Sequence, residues 1–409
     1  MILQVIGEPD KYHEIEYEIE EGDFRYKTFI SSDALRRFFE SKGISETVFL
    51  FAPQSIVEKC GGLKELEKAI KDRGFEDFEL VEFPSIGEYR FGDKSVRYKM
   101  RFEDVVVSMF LELLKRKPES VIVDVSTGQN VYVFALIEAT RRYATYKNLE
   151  KILQKGEFKI RIATHQPVVK GVERVKVEFS EIPPRAFFSL EEEVRIDKLF
   201  RDAETKAIEK ATEIYKKYSS QKSDFKKMHD ETKIAFNSVQ YSVPLAFYEL
   251  LKFDVDVEEI EKSILEMVKE FLKNEISMSL KEVSNVFFSI AIFRSFREFK
   301  SQLSEPCVSE IEKKFSRIYE NLKLNVNQIF LRRELENIKE MGVKVSENWT
   351  TLKGLYGSEG SADRKRNFFA HCGFLKEYTK VMKRNDEIYI KWDESKRGEI
   401  RKWLLKPKT

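Results

Sequence analysis

Cysteine is scarce in this chain: Cys60, Cys307 and Cys372 stand far apart in 409 residues. So few and so spaced, they exclude a disulfide framework and a zinc knuckle, and free thiols in a reducing compartment are expected. Histidine is nearly as scarce. His13, His165, His229 and His371 are scattered, and neither H-E-x-x-H nor C-x-x-C occurs, so no metal site is expected. No run reaches the roughly 18 apolar residues of a membrane span, and residues 1–10 lack the basic start and apolar stretch of a secretory signal. The chain therefore reads as cytoplasmic and without a membrane partner. An excess of one charge is missing too: 72 Lys plus Arg face 70 Asp plus Glu, a net charge of +2. With no bulk field to draw the protein onto a polyanion, any such site must be local.

Glycine is unevenly missing. Eleven glycines fall between Gly7 and Gly171, none lies from Val172 to Met341, and six follow from Gly342 onward. Glycine weakens helices and serves the tight connections of α/β folds, so the architecture changes near residues 180–190, where Pro183-Pro184 reads as a linker. Before it, apolar runs at 2–6, 48–52, 120–125 and 159–163 read as buried strands. Helical patterns at 32–42, 62–73, 102–115 and 131–146 alternate with them, which predicts a mostly parallel, doubly wound, Rossmann-like sheet. After it, long helices are expected at 190–218, 223–251, 257–274, 280–303 and 310–341. Phe287, Phe288, Ala291, Ile292, Ser295 and Phe299 repeat as a core stripe. A short strand over 388–392 and a final helix close the chain. Two domains follow, residues 1–185 and residues 186–409.

Ligands of such sheets bind at the carboxyl ends of the strands, where loops and helix N-termini present N–H groups. Asp124-Val125-Ser126-Thr127-Gly128-Gln129-Asn130 leaves one strand and enters a helix. Gly7, residues 28–32 with Ser31 and Ser32, and Thr164-His165-Gln166 share that rim. There is no G-x-G-x-x-G and no Walker lysine, so a structural turn is an equal reading of these residues. Near the C-terminus, Arg366-Asn367-Phe368-Phe369-Ala370-His371 brings a fixed cation, an amide and a proton carrier together. A guanidinium can hold two phosphate oxygens at once and an imidazole moves protons near neutral pH. A regular helix would put Asn367 and His371 on one face with Phe368, Cys372 and Leu375 beside them. Small Ala370 and Gly373 would leave room for a second copy to supply a second histidine.

D-V-S-T-G-Q-N at a strand end, followed by a helical domain ending in R-N-F-F-A-H, resembles the CARF-HEPN ribonucleases of type III CRISPR systems. Tyr12 to Glu18, Thr28-Phe29 and Ala34-Leu35 are similar to the start of their archaeal single-CARF branch. The resemblance implies an α/β Rossmann-like CARF domain followed by an all-α HEPN domain with a short β-hairpin. It implies a homodimer, or a higher assembly, whose CARF domains bind a cyclic oligoadenylate, the four-membered ring, as allosteric activator. Thr127, Gly128, Gln129 and Asn130 would line the floor of that site, and the loops around Gly7, Ser31, Ser32 and His165 its walls. The HEPN domains would form a cleft that cuts single-stranded RNA without metal and with no cofactor. In it Arg366 stabilises phosphate charge, Asn367 orients the site and His371 handles protons. Gly128-Gln129-Asn130 departs from the family's His-Gly or Asn-Gly at that loop, which leaves open which amide meets the ligand. Two alternatives stand beside this reading: a nucleotide-sensing protein that binds RNA without cutting it, and a CARF domain that also degrades its own ring.

Overall fold

The structure, a computed structural model, describes residues 1–154, 158–168, 171–182, 194, 196, 199–200, 205–356 and 363–407. Pro183-Pro184 and residues 190–193, 195, 197–198 and 201–204 of the first expected long helix lie outside them, and the described part of that helix is Thr205–Lys217. The N-terminal region is built on one eight-stranded sheet. In spatial order its strands are Phe24–Thr28, Ile15–Ile19, Arg174–Ile182, Ile160–His165, Val121–Asp124, Ile2–Val5, Val48–Pro53 and Glu79–Phe83. The five from Ile160–His165 to Glu79–Phe83 run parallel. Arg174–Ile182 pairs antiparallel with Ile160–His165 and parallel with Ile15–Ile19, and Ile15–Ile19 pairs antiparallel with Phe24–Thr28, so the sheet is mostly parallel, as expected, with two antiparallel pairings toward one edge. Ile15–Ile19 alternates buried with half-buried residues and the edge strand Phe24–Thr28 half-buried with exposed ones, as strands with one wetter face do, and hence neither gives a continuous apolar run.

Alternation along the central strands assigns each side chain to a face. Leu3, Val5, Phe49, Phe51 and Val123 face the helices Phe102–Arg116 and Asn130–Glu150, whereas Ile2, Ile6, Val48 and Leu50 face Ser31–Ser41 and Leu63–Lys71. The first of these cores runs on into the C-terminal helices, with Phe110 edge-on to Phe287 at 5.8 Å. Of the expected stripe, Phe287, Ala291, Ile292, Ser295 and Phe299 are buried, while Phe288 is half-buried.

Two of the expected long helices are broken. Residues 223–251 form Ser220–Gln240 and Leu245–Glu249, separated by Ser242 in the left-handed region (φ 58°) and by Pro244. Residues 310–341 form the hairpin Val308–Asn321 and Asn325–Glu340, which turns at Lys323 (φ 57°) and is clasped by the Lys339–Glu312 ion pair at 2.6 Å. The expected C-terminal hairpin forms from Thr379–Arg384 and Glu387–Trp392, and the two-residue strand Thr350–Thr351 joins its edge to make a three-stranded sheet.

Polar groups lock the two regions together. Buried Asp104 accepts from Met278 N–H at 2.7 Å and from the Ser277 hydroxyl at 2.9 Å. Arg294 donates to Glu261 at 2.9 and 3.0 Å and reaches Glu150, at the end of the helix that starts in the Asn130 loop. Burial alone would raise the Glu261 pKa, but Arg294 and the Tyr146 hydroxyl lower it overall. The contribution of this pair is therefore present above the carboxylate's unfolded pKa and is lost as pH falls through its folded one. Arg294→Ala strands a buried carboxylate, and urea unfolding at neutral pH is expected to show a loss of about 3 kcal/mol.

Candidate functional sites

The sheet reverses its winding between Ile2–Val5 and Val121–Asp124: from Ile2–Val5 the chain goes to Val48–Pro53 on one side, and Val121–Asp124 pairs on the other. That is where α/β sheets bind ligands, and the segments singled out in the sequence meet there. Gln4, wholly buried, donates through Nε2 to the Ser31 hydroxyl at 2.9 Å and the Thr127 hydroxyl at 2.6 Å. Thr127 in turn donates to the Val5 carbonyl at 3.1 Å. The Gly7 N–H donates to the Tyr12 hydroxyl at 2.7 Å. On the far side the His165 N–H donates to Ser126 Oγ at 3.1 Å. His165 Nδ1 lies 2.7 Å from the Gln166 carbonyl, which can only accept, so Nδ1 carries a proton. Asp124 is fully buried. Burial raises its pKa against the opposing influence of Ser31, His165 and Ser126.

Gly128 has φ +96°, and a Cβ there would stand 2.9 Å from Val5 Cγ1 and 3.0 Å from Val5 O, so the loop closes onto the strand end only because this residue is glycine. Gln129 caps the helix Asn130–Glu150 and accepts from Tyr89 at 3.1 Å; Gly128, Gln129 and Asn130 are exposed at its mouth. Among the described residues, Gln4 Oε1, Ser32 Oγ, Asp124 Oδ2 and His165 Nε2 are buried here without hydrogen-bond partners. Four unmet polar atoms gathered at one strand end are an exception to the rule that buried polar groups are hydrogen-bonded. Sequence reading passed over Gln4, Tyr12 and Tyr89. Gln4 left a signal, the one polar residue in the strand Ile-Leu-Gln-Val.

The second site lies on a short helix, Arg364–Ala370, whose N-cap Asp363 accepts from the Arg366 N–H at 2.9 Å. Phe368 is wholly buried against Phe369, Trp392 and Trp403, with ring centroids 5.3 to 5.8 Å away. The expected regular helix through His371 does not form. His371 is the C-cap, and Cys372 (φ 51°) and Gly373 (φ 79°) turn the chain back. Gly373 does not open space for a second copy: it is buried, and a Cβ on it would come within 2.6 Å of Val243 Cγ1. Trp392 Nε1 donates to its carbonyl at 2.9 Å. The buried Phe368, Cys372 and Gly373 thus clamp the turn and leave Arg366 and His371 exposed, with Asn367 half-buried. Arg366 has no ion-pair or hydrogen-bond partner for its guanidinium among the described residues, while His371 Nδ1 is 3.2 Å from Glu334 Oε1 on the helix Asn325–Glu340. Sequence reading missed Glu334, which no spacing connects to the motif.

The other two histidines are elsewhere. His13 is exposed before the strand Ile15–Ile19, and His229 is buried in the helical core near Ser289. Among the described residues no group of three His, Cys, Asp or Glu side chains could hold a metal ion, and no helix is long and apolar enough to cross a membrane.

Two family models match the chain. Residues 1–167 match the CARF domain of the CRISPR system endoribonuclease Csx1, and residues 324–394 match its HEPN domain. No curated protein is similar enough to the chain to be matched. The first match ends before the strand Arg174–Ile182 that completes the sheet; the second takes in both Glu334 and the Arg366–His371 turn. An α/β sheet joined to helices that present an arginine and a histidine agrees with both, and the chain belongs to the CARF-HEPN endoribonucleases of CRISPR systems, the Csx1 family.

Proposed function

We propose that the protein is a metal-independent endoribonuclease of type III CRISPR immunity that cuts single-stranded RNA when a cyclic oligoadenylate, the four-membered ring, fills the crevice beside Gln4. The observation that carries the reading is the pairing of an exposed Arg366 guanidinium, without a partner among the described residues, with an exposed His371 imidazole on one clamped turn. In the reaction, the RNA 2′-oxygen bonds to the adjacent phosphorus as its proton passes to His371 Nε2. The bond from phosphorus to the 5′-oxygen breaks, leaving a 2′,3′-cyclic phosphate and a 5′-hydroxyl. Arg366 holds the non-bridging oxygens and Asn367 orients the phosphate. The nucleophile belongs to the substrate, so DNA is spared.

The departing 5′-oxygen needs a proton, and a second copy's imidazolium supplies it across a two-fold axis. The outward face of the helix Asn325–Glu340 supports this pairing: Val326, Ile329 and Phe330 are 63%, 65% and 53% exposed, and Phe330 lies one turn before Glu334. A two-fold dimer also suits a cyclic ligand of matching symmetry. The domains of the proposal are the sensor, residues 1–185, and the helical and nuclease part, residues 186–409.

In the crevice, Thr127, Gly128, Gln129 and Asn130 form the floor and Gly7, Ser31, Ser32 and His165 the walls; the helix N-terminus at Asn130 faces the ring's phosphates. Gly128→Ala forces a side chain into the left-handed region against the Val5 carbonyl, at about 1–2 kcal/mol. Calorimetry is expected to show ring binding weakened about tenfold with the fold retained. The test of the whole reading is cleavage of a fluorogenic RNA with and without cyclic tetra-adenylate in the presence of a chelator.

A further inference from the structure

We infer that Glu334 is a positioning residue of the nuclease site: its carboxylate holds the His371 imidazole in the tautomer that presents Nε2 to the RNA. The inference rests on Arg366, Asn367 and His371 being the site that cleaves. His371 sits at a helix end with its side chain 52% exposed, and among the described residues its imidazole has one polar side-chain partner, Glu334 Oε1, 3.2 Å from Nδ1. A carboxylate oxygen only accepts, so Nδ1 must be the protonated nitrogen and Nε2 of the neutral ring carries the lone pair. Without that contact either nitrogen can hold the proton, and the ring is free to turn in solvent.

The carboxylate is itself well placed for this task. Glu334 is 20% exposed on a helix fixed to the core by Leu331, Leu335 and Ile338, each 2% exposed or less. It makes no ion pair with Arg366, so the guanidinium stays available to phosphate. The neighbouring Cys372 does not compete as a proton carrier: burial first, and the Glu334 charge second, push its thiol up to about 12. When His371 Nε2 takes the 2′-hydroxyl proton, the imidazolium that forms lies against an anion already in place, so no reorganisation is needed at that moment.

The experiment uses the full-length protein with histidine labelled by ¹⁵N. Long-range proton–nitrogen spectra read the tautomer of His371, identified by its absence in His371→Ala, and cleavage kinetics are measured at saturating cyclic tetra-adenylate. The wild type is expected to show the proton on Nδ1 of the neutral His371 ring. Glu334→Ala is expected to lose that preference and roughly 10- to 100-fold in kcat, the range for outer-shell partners of a working histidine, with KM for RNA unchanged. Glu336→Ala, exposed on the same helix, is expected to leave both readouts alone. Nε2 protonated in the wild type overturns the inference, and that measurement needs no variant to fold. An unchanged kcat in Glu334→Ala, beside an inactive His371→Ala, overturns it while leaving the nuclease site standing. An active His371→Ala overturns the site itself and this inference with it.

Discussion

His371→Ala is expected to lower ring-activated RNA cleavage by at least about 10²-fold, the lower end of what a positioned acid–base group contributes. Only one imidazole of the chain stands on the Arg366 turn; His13 is on the sensor region's surface, His229 is in the helical core and His165 is in the strand-end crevice. The substitution removes no buried contact. The C-cap backbone, at φ −106° and ψ 32°, suits alanine, so unfolding should shift by no more than about 0.5 kcal/mol. Binding of RNA and of the ring should therefore persist in an inactive protein, as single-turnover kinetics and equilibrium titration would show. Arg366→Lys should recover little of what Arg366→Ala loses, because an ammonium lacks the two-pronged geometry that a phosphate's oxygens meet.

Ile329→Glu combined with Phe330→Glu is the second large effect. In the lone chain both residues are more than half exposed, so the fold loses almost nothing. Across a two-fold seam each would be buried twice, once from each copy. Burying a large apolar side chain is worth about 1.5–3 kcal/mol, and four placed carboxylates would repel. The dissociation constant of the nuclease-domain dimer is expected to rise at least about 100-fold, read by sedimentation in the absence of the ring. Cleavage should fall with it, because neither copy can then protonate the leaving oxygen. Unchanged cleavage in this double variant would remove the second copy from the mechanism.

Much of this was written in local sequence. Val48–Pro53 is apolar throughout, and Ile2–Val5 is apolar but for Gln4, because both are buried on both faces, and such runs declare themselves. The loop segments around Gly7, Ser31, Thr127 and His165 could be grouped in advance because strand ends share one rim whatever the strand order. What stayed hidden depends on distant partners. Lys323 ends a helix in the left-handed region without glycine, so no residue type announced that break, whereas Pro244 beside Ser242 did mark the other and was passed over. Gly373 read as open space, but its missing side chain makes room for Val243, 130 positions earlier. Glu334 is a common residue on a charged helix, and only the packing of that helix against the Arg366 turn brings it to His371. The strands 15–19 and 24–28 were overlooked because half of their side chains face water.

The most direct measurement is the rate and end chemistry of cleavage of a short single-stranded RNA by the full-length protein, with chelator, with and without cyclic tetra-adenylate. The account predicts fragments ending in 2′,3′-cyclic phosphate that form only with the ring and not from His371→Ala. Cleavage at the same rate without the ring, or undiminished cleavage by His371→Ala, would contradict it.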